Sequence, residues 1–83
     1  MYSISKDSLL DVSDEGAIVQ VNDEFYGLSM TAYEIINLVV ETQSIADTAA
    51  RLASSYDVDA NELEEDVRKV LADCIEKGII VEG

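Results

Sequence analysis

The stretch Ala17-Ile18-Val19-Gln20-Val21-Asn22-Asp23-Glu24-Phe25-Tyr26-Gly27-Leu28-Ser29 decides the fold. Ala17 to Val21 is β-branched and nearly continuous in apolar character, which reads as a strand. Asn22-Asp23 is a turn pair, and Asp23 to Ser29 then reads as a very short aromatic strand running without a linker into a capped helix. Upstream, Ser8-Leu9-Leu10-Asp11-Val12 is a weaker strand pattern, and Asp14-Glu15-Gly16 supplies a turn with glycine at its tight position. The three strands make a meander whose edge is Phe25-Tyr26-Gly27-Leu28. An edge strand carries unpaired N–H and C=O groups, which proteins usually hide or use. Here no proline hides them and only Asp23 and Glu24 blunt the start, so the edge is a candidate docking site for another extended peptide.

Three helices follow, each with a start signal. Thr31 with Glu34 matches a capping box, with Ser29 as an alternative cap, and Ala32, Ile35, Ile36, Val39 and Val40 recur at helical spacing. Ser44 with Asp47 opens the second helix, whose apolar stripe is Ile45, Ala49, Leu52, Ala53 and Tyr56. Asp59 with Glu62, or Asn61 with Glu64, caps the third and longest. Its face is Leu63, Val67, Val70, Leu71, Cys74 and Ile75, and Gly78 ends it. Ile79-Ile80-Val81 is a short β-branched tail that packs back on the core. The expected fold class is therefore α+β: a three-stranded antiparallel sheet followed by three helices, the last two resembling a helix-turn-helix pair, in a winged helix-turn-helix-like arrangement.

With 83 residues, no proline and four glycines, no linker divides the chain, and a single domain over residues 1–83 is expected. Met1 to Asp7 lacks the apolar run of a signal peptide, and no stretch approaches the ~18 apolar residues of a membrane span. The one cysteine, Cys74, cannot form an internal disulfide and fits a reducing cytoplasm. Eighteen acidic residues against Lys6, Arg51, Arg68, Lys69 and Lys77 give a net charge of −13. That sign repels nucleic-acid phosphates and anionic membranes, and favours cationic peptides or proteins as partners. The same charge also serves solubility.

Other chemistries fail on residue inventory. Without histidine there is no catalytic triad and no histidine-based metal site. Cys74 sits on an apolar stripe with nothing to activate it. Asp57-Val58-Asp59-Ala60-Asn61 copies the start of an EF-hand loop, but Glu62 replaces the required glycine and Arg68 the bidentate glutamate. Asp7-Ser8-Leu9 matches the attachment tripeptide of acyl carrier proteins without the helix that precedes it there. A winged-helix DNA-binding regulator would use the third helix for recognition, yet Glu62, Glu64, Glu65 and Asp66 crowd its first turns with the wrong sign. No enzymatic activity, cofactor or metal is expected. What remains is peptide binding at a strand edge, with side-chain pockets beside it.

The ordered pattern resembles the PqqD-like family. The resemblance lies in Ala17-Ile18-Val19-Gln20-Val21-Asn22, Glu24-Phe25-Tyr26-Gly27-Leu28-Ser29, Ala32, Ile35-Ile36 and Leu38. It continues in Ile45-Ala46, Ala50-Arg51-Leu52-Ala53, Tyr56-Asp57-Val58-Asp59, Asp66-Val67, Leu71 and Gly78-Ile79-Ile80. Ser29 stands where asparagine is common in the family, and Ile36 where tryptophan is. The resemblance spans roughly Leu9 to Val81 and implies a recognition element for ribosomally made, post-translationally modified peptides (RiPPs). Such a module binds the leader of a precursor peptide and presents it to a leader protease or another modifying enzyme. By resemblance, the leader adds as a strand along Glu24, Phe25, Tyr26, Gly27 and Leu28. Its side chains enter a cleft lined, by the same resemblance, by Val67, Val70, Leu71 and Cys74, although the helical stripe alone equally allows Val67, Val70 and Cys74 to be core. From the residues themselves, Arg68 and Lys69, flanked by Asp66 and Asp73, either hold a charged ligand side chain or are solvated. The family serves lasso-peptide pathways, the preferred setting here, and pyrroloquinoline quinone synthesis as a peptide chaperone. A monomer or weak dimer is expected.

Overall fold

The computed structural model describes all 83 residues. Strands β1 (Tyr2–Ile4), β2 (Leu9–Ser13), β3 (Gly16–Val21) and β4 (Glu24–Ser29) precede helices α1 (Met30–Thr42), α2 (Ile45–Tyr56) and α3 (Ala60–Glu76), and β5 (Ile80–Glu82) closes the chain. The meander is present as an antiparallel sheet in the order β2-β3-β4. β4 is a full six-residue strand rather than a very short one.

Two turns hold that sheet in register. Asn22 and Asp23 both take positive φ, 53° and 63°, the signature of a type I′ hairpin, whose twist matches that of the flanking strands. Between β2 and β3, Ser13 pairs with Gly16 around the two-residue loop Asp14-Glu15. Gly16 has φ +141°, and a Cβ there would lie 2.2 Å from the Leu28 carbonyl oxygen. The backbone of β4 passes too close to Gly16 for any other residue.

The sheet's inner face supplies Ala17, Val19, Val21 and Leu28 to a core completed by the helices. β3 is thus alternating, with Ile18 exposed between buried neighbours, rather than apolar on both faces. α1 buries Ile35, Ile36 and Val39, α2 buries Thr48, Ala49 and Leu52, and α3 buries Val67, Leu71 and Cys74. Tyr56, expected in the α2 stripe, is half exposed and donates its hydroxyl to Glu34 at 2.7 Å. That hydrogen bond holds the phenol pKa above its usual value.

Helix starts follow side-chain caps. The Ser29 hydroxyl accepts from the Ala32 N–H, Ser44 from Asp47 and the Asp59 carboxylate from Asn61. Ser29, not Thr31, therefore begins α1, because β4 stays extended up to Ser29 and leaves Thr31 already inside the helix. Asp57 is the left-handed C-cap of α2, so the EF-hand-like segment is used for caps. At the end of α3, Gly78 (φ +80°) permits a Schellman motif, with Ile79 N–H donating to the Cys74 carbonyl and Gly78 N–H to that of Ile75.

A second, two-stranded sheet lay outside the sequence reading. β1 pairs antiparallel with β5, Tyr2 opposite Glu82 and Ile4 opposite Ile80. The terminal residues join it: Met1 donates to the Gly83 carbonyl at 2.7 Å and Gly83 N–H to that of Met1 at 2.9 Å. Gln43, in left-handed conformation after α1, clamps β1 from the other side. Its side-chain oxygen accepts from Tyr2 N–H at 2.6 Å and its amide donates to the Tyr2 carbonyl at 2.7 Å. A glutamine amide thus stands in for a strand residue.

Candidate functional site

The hairpin register assigns a direction to every backbone group of β4. A two-residue type I′ loop closes on Val21 and Glu24, so that pair exchanges both hydrogen bonds. Alternation then turns the N–H and C=O of Tyr26 and Leu28 towards Val19 and Ala17 on β3. Those of Phe25 and Gly27 face the open edge, which no other strand of the sheet covers. The side chains alternate too: Leu28 is buried and Tyr26 half-buried on the core face, while Phe25 is 69% exposed on the outer face.

α3 flanks this edge. Lys77 places its ammonium over the Tyr26 ring, 5.2 Å from the centroid, a cation–π contact at the Tyr26 end of the strand. Nearer the start of α3, Asp66 shares an apolar hollow of about 260 Å³ with Leu63, with Thr31 and Ile35 of α1 and with Leu52 and Tyr56 of α2. Asp66, Val70, Asp73 and Lys77 are spaced four, three and four residues apart, so they form one helical stripe between these two contacts. The stripe is half-buried at Val70 and Lys77 and exposed at Asp66 and Asp73. Asp73 accepts from Lys77 at 2.8 Å. This bond holds the ammonium pKa above its usual value, so Lys77 is cationic at neutral pH.

The cleft-facing set read from the sequence divides accordingly. Val67, Leu71 and Cys74 are 0%, 3% and 1% exposed and belong to the core, so none of them presents a side chain to the open flank. Val70, Asp66 and Asp73 share the stripe. Lys69 lies at its margin in a loose 3.6 Å pair with Glu65. Arg68, about 200° around the helix from Asp66, falls on the far flank and pairs with Glu64 at 2.6 Å. Lys77 lies outside the set read from the sequence, although its spacing from Asp73 and Val70 puts it on the same face and its ammonium approaches Tyr26. Burial also pushes the Cys74 thiol pKa up, with the Asp73 charge adding to the effect. Ellman's reagent is therefore expected to leave Cys74 unmodified in the native protein at neutral pH and to modify it stoichiometrically in denaturant. Rapid reaction without denaturant would place the thiol on an open surface.

No helix is long and apolar enough to cross a membrane. No curated protein matches the chain. Among solved structures, "Lasso peptide synthetase B1 complexed with the leader peptide" superposes with a TM-score of 0.85 at 23% identity, over 98% of both chains. "TbiB1 in Complex with the TbiA(beta) Leader Peptide" gives 0.84 at 19%, over 98% of this chain and 96% of that one. The PqqD truncation of Methylobacterium extorquens PqqCD, described as a functional, stand-alone RiPP recognition element, gives 0.78 at 17%, over 98% and 88%. At these identities the likenesses show the fold. The sequence itself goes further: the family described as coenzyme PQQ synthesis protein D (PqqD) matches residues 9–80, from the first residue of β2 to the first of β5. The match takes in the whole meander, all three helices and the open edge of β4 between them, and the chain belongs to the PqqD family.

Proposed function

We propose that the chain is a non-catalytic RiPP recognition element that captures the leader of a precursor peptide as an additional strand on β4. One observation carries this reading: the free edge turns the N–H and C=O of Phe25 and Gly27 outward beside a stripe of α3. Backbone pairing supplies sequence-independent affinity there, and neighbouring side chains select among leaders. Tyr26, Val70 and Lys77 act as the apolar and cation–π wall. Asp66 and Asp73 bias the cleft towards basic leader residues. Val67, Leu71 and Cys74, together with Leu28, set the position of α3 from beneath. In two of the matched structures the protein is bound to a leader peptide, which supports a leader as the ligand here.

The whole chain, residues 1–83, functions as one such domain, without a cofactor, and delivers its leader to a modifying enzyme. A lasso-peptide protease and cyclase are the preferred recipients, since the chain covers 98% of a lasso peptide synthetase B1. Pyrroloquinoline quinone synthesis is the second reading, favoured by the family description.

Titration of the isotope-labelled protein with the leader of the precursor peptide encoded beside its gene tests the reading. The Phe25 and Gly27 amides are expected to shift and to gain protection from exchange, together with resonances of Val70 and Lys77. Shifts confined to α2 would place the ligand elsewhere and sink strand addition. The net charge of −13 adds a kinetic signature. Association of a basic leader is expected to slow as salt shortens the screening length from about 10 Å at 0.1 M to about 3 Å at 1 M. A salt-independent rate would reduce the acidic surface to a solubility role.

A further inference from the structure

The face of the meander turned away from the helices is uncovered, and the register lays out its side-chain positions as a grid. Leu9, Gln20 and Phe25 lie across one row, Asp11, Ile18 and Gly27 across the next, and Ser13, Gly16 and Ser29 across the third. The solvent face of an antiparallel sheet is ordinarily polar. Here Leu9, Ile18 and Phe25 are neighbours and 68%, 53% and 69% exposed. Beside them Gly16 and Gly27 contribute no side chain and leave a shallow trough of about 330 Å³ bordered by Asp11 and Glu15. Adjacent large apolar side chains on a water-facing sheet mark an interaction surface.

We infer that this outer face docks the enzyme that acts on the bound leader, through a protein surface presenting an apolar knob beside an arginine or lysine that enters the trough. The inference rests on the leader-binding reading above. Charge selects the occupant: the outer face and the loop that closes it carry Asp11, Asp14 and Glu15, and from Asp7 to Ser29 there is no basic residue. A second copy of the chain would bring two such faces of like sign together, whereas a basic-rimmed protein is drawn in and oriented. Continuity with the strand edge supplies the second argument. Phe25 and Gly27 turn their backbone groups to the open edge and their side-chain positions to the outer face. A leader strand added there widens the same face by one further column of side chains. The enzyme thus reads protein and leader as a single four-stranded surface and favours the loaded form over the empty one.

The variant Leu9→Thr/Ile18→Thr removes the apolar pair from β2 and β3 while keeping strand-forming residues and leaving the β4 edge intact. It is measured for melting temperature, for affinity towards the synthetic leader, and for binding and stimulation of the modifying enzyme encoded beside the precursor gene. Leader affinity is expected to stay within about twofold, while enzyme binding and stimulation fall by about tenfold or more, as for loss of an interface anchor. Asp11→Lys is expected to weaken enzyme binding and flatten its salt dependence, again with the leader affinity kept. Unchanged enzyme stimulation in the double variant would overturn the inference. So would self-association of the wild-type chain, abolished by the same substitutions, which would assign the face to a second copy. A wild-type chain that binds the enzyme through this face but takes up no leader would instead overturn the leader reading alone.

Discussion

Proline at Gly27 is expected to weaken leader binding by about tenfold or more while leaving the far-ultraviolet spectrum and the melting temperature close to wild type. Proline at Tyr26 is expected to disrupt β4 itself. The two positions are adjacent, and the difference comes from hydrogen-bond direction. Gly27 turns its N–H to the open edge, so proline there removes the donor that strand addition would use and leaves the β3–β4 ladder whole. Space is available, since a Cβ on Gly27 meets nothing within 4 Å. One hydrogen bond contributes about 0.5–1.5 kcal/mol net, and the leader carbonyl left facing the ring adds a desolvation cost, which together reach tenfold. Gly27→Ala is the control: it keeps the N–H, adds a methyl group in open space and should bind within about twofold of wild type. Tyr26, by contrast, donates inward to β3, and its loss costs the fold a central rung. If Gly27→Pro stays folded and binds leader like wild type, strand addition on β4 is wrong.

The second large effect concerns stability. Gly16→Ala is expected to destabilise the protein by about 2–4 kcal/mol, read from the urea midpoint of the far-ultraviolet signal. Two causes act together. The backbone at Gly16 has a positive φ, costly for any residue with a Cβ, and the methyl group would sit 2.2 Å from a main-chain oxygen of Leu28. A flexible side chain can rotate away from such a clash, but a carbonyl in a ladder cannot. β3 and β4 must separate locally, and the Ala17–Leu28 pair next to the clash opens with them. A chain of this size has a total stability of about 4–12 kcal/mol, so the loss is a large part of it. A change below about 0.5 kcal/mol would mean that the hairpin relaxes freely, and that Gly16 is a convenience of the turn rather than a contact point.

Much of the fold was legible because local chemistry decided it. Asn22-Asp23 tolerates the left-handed backbone that a two-residue hairpin demands, and Ser44, Asp59 and Gly78 mark helix ends wherever the chain folds. The β1–β5 pair was not legible. Three residues at each end have no periodicity to read, and their pairing joins positions 80 residues apart in the case of Tyr2 and Glu82. Its clamp, Gln43, reads locally as no more than a break between helices. The candidate site divides along the same line. That β4 forms an edge follows from the order of elements. That Phe25 and Gly27, and not Tyr26, hold the outward groups needs the register. For α3 the periodicity identified a wide apolar face but not its rotation. The approach of Lys77 to Tyr26 puts the C-terminal end of α3 beside the strand, and burial turns Val67, Leu71 and Cys74 to the core.

The meeting of the first and last residues makes this chain a nearly closed ring. Met1 and Gly83 exchange hydrogen bonds in both directions, the geometry that must flank a two-residue hairpin loop. An Asn-Gly bridge from Gly83 to Met1 would therefore complete a type I′ turn without disturbing β1 or β5. Circularisation of this kind removes unfolded-state entropy equivalent to up to about 4 kcal/mol. The seam also lies in a different sheet from the β4 edge. The ring can then be reopened at Asp14-Glu15, giving a permuted protein whose new ends emerge beside the outer face of the meander. A partner protein fused there would be held against the outer face by covalent design.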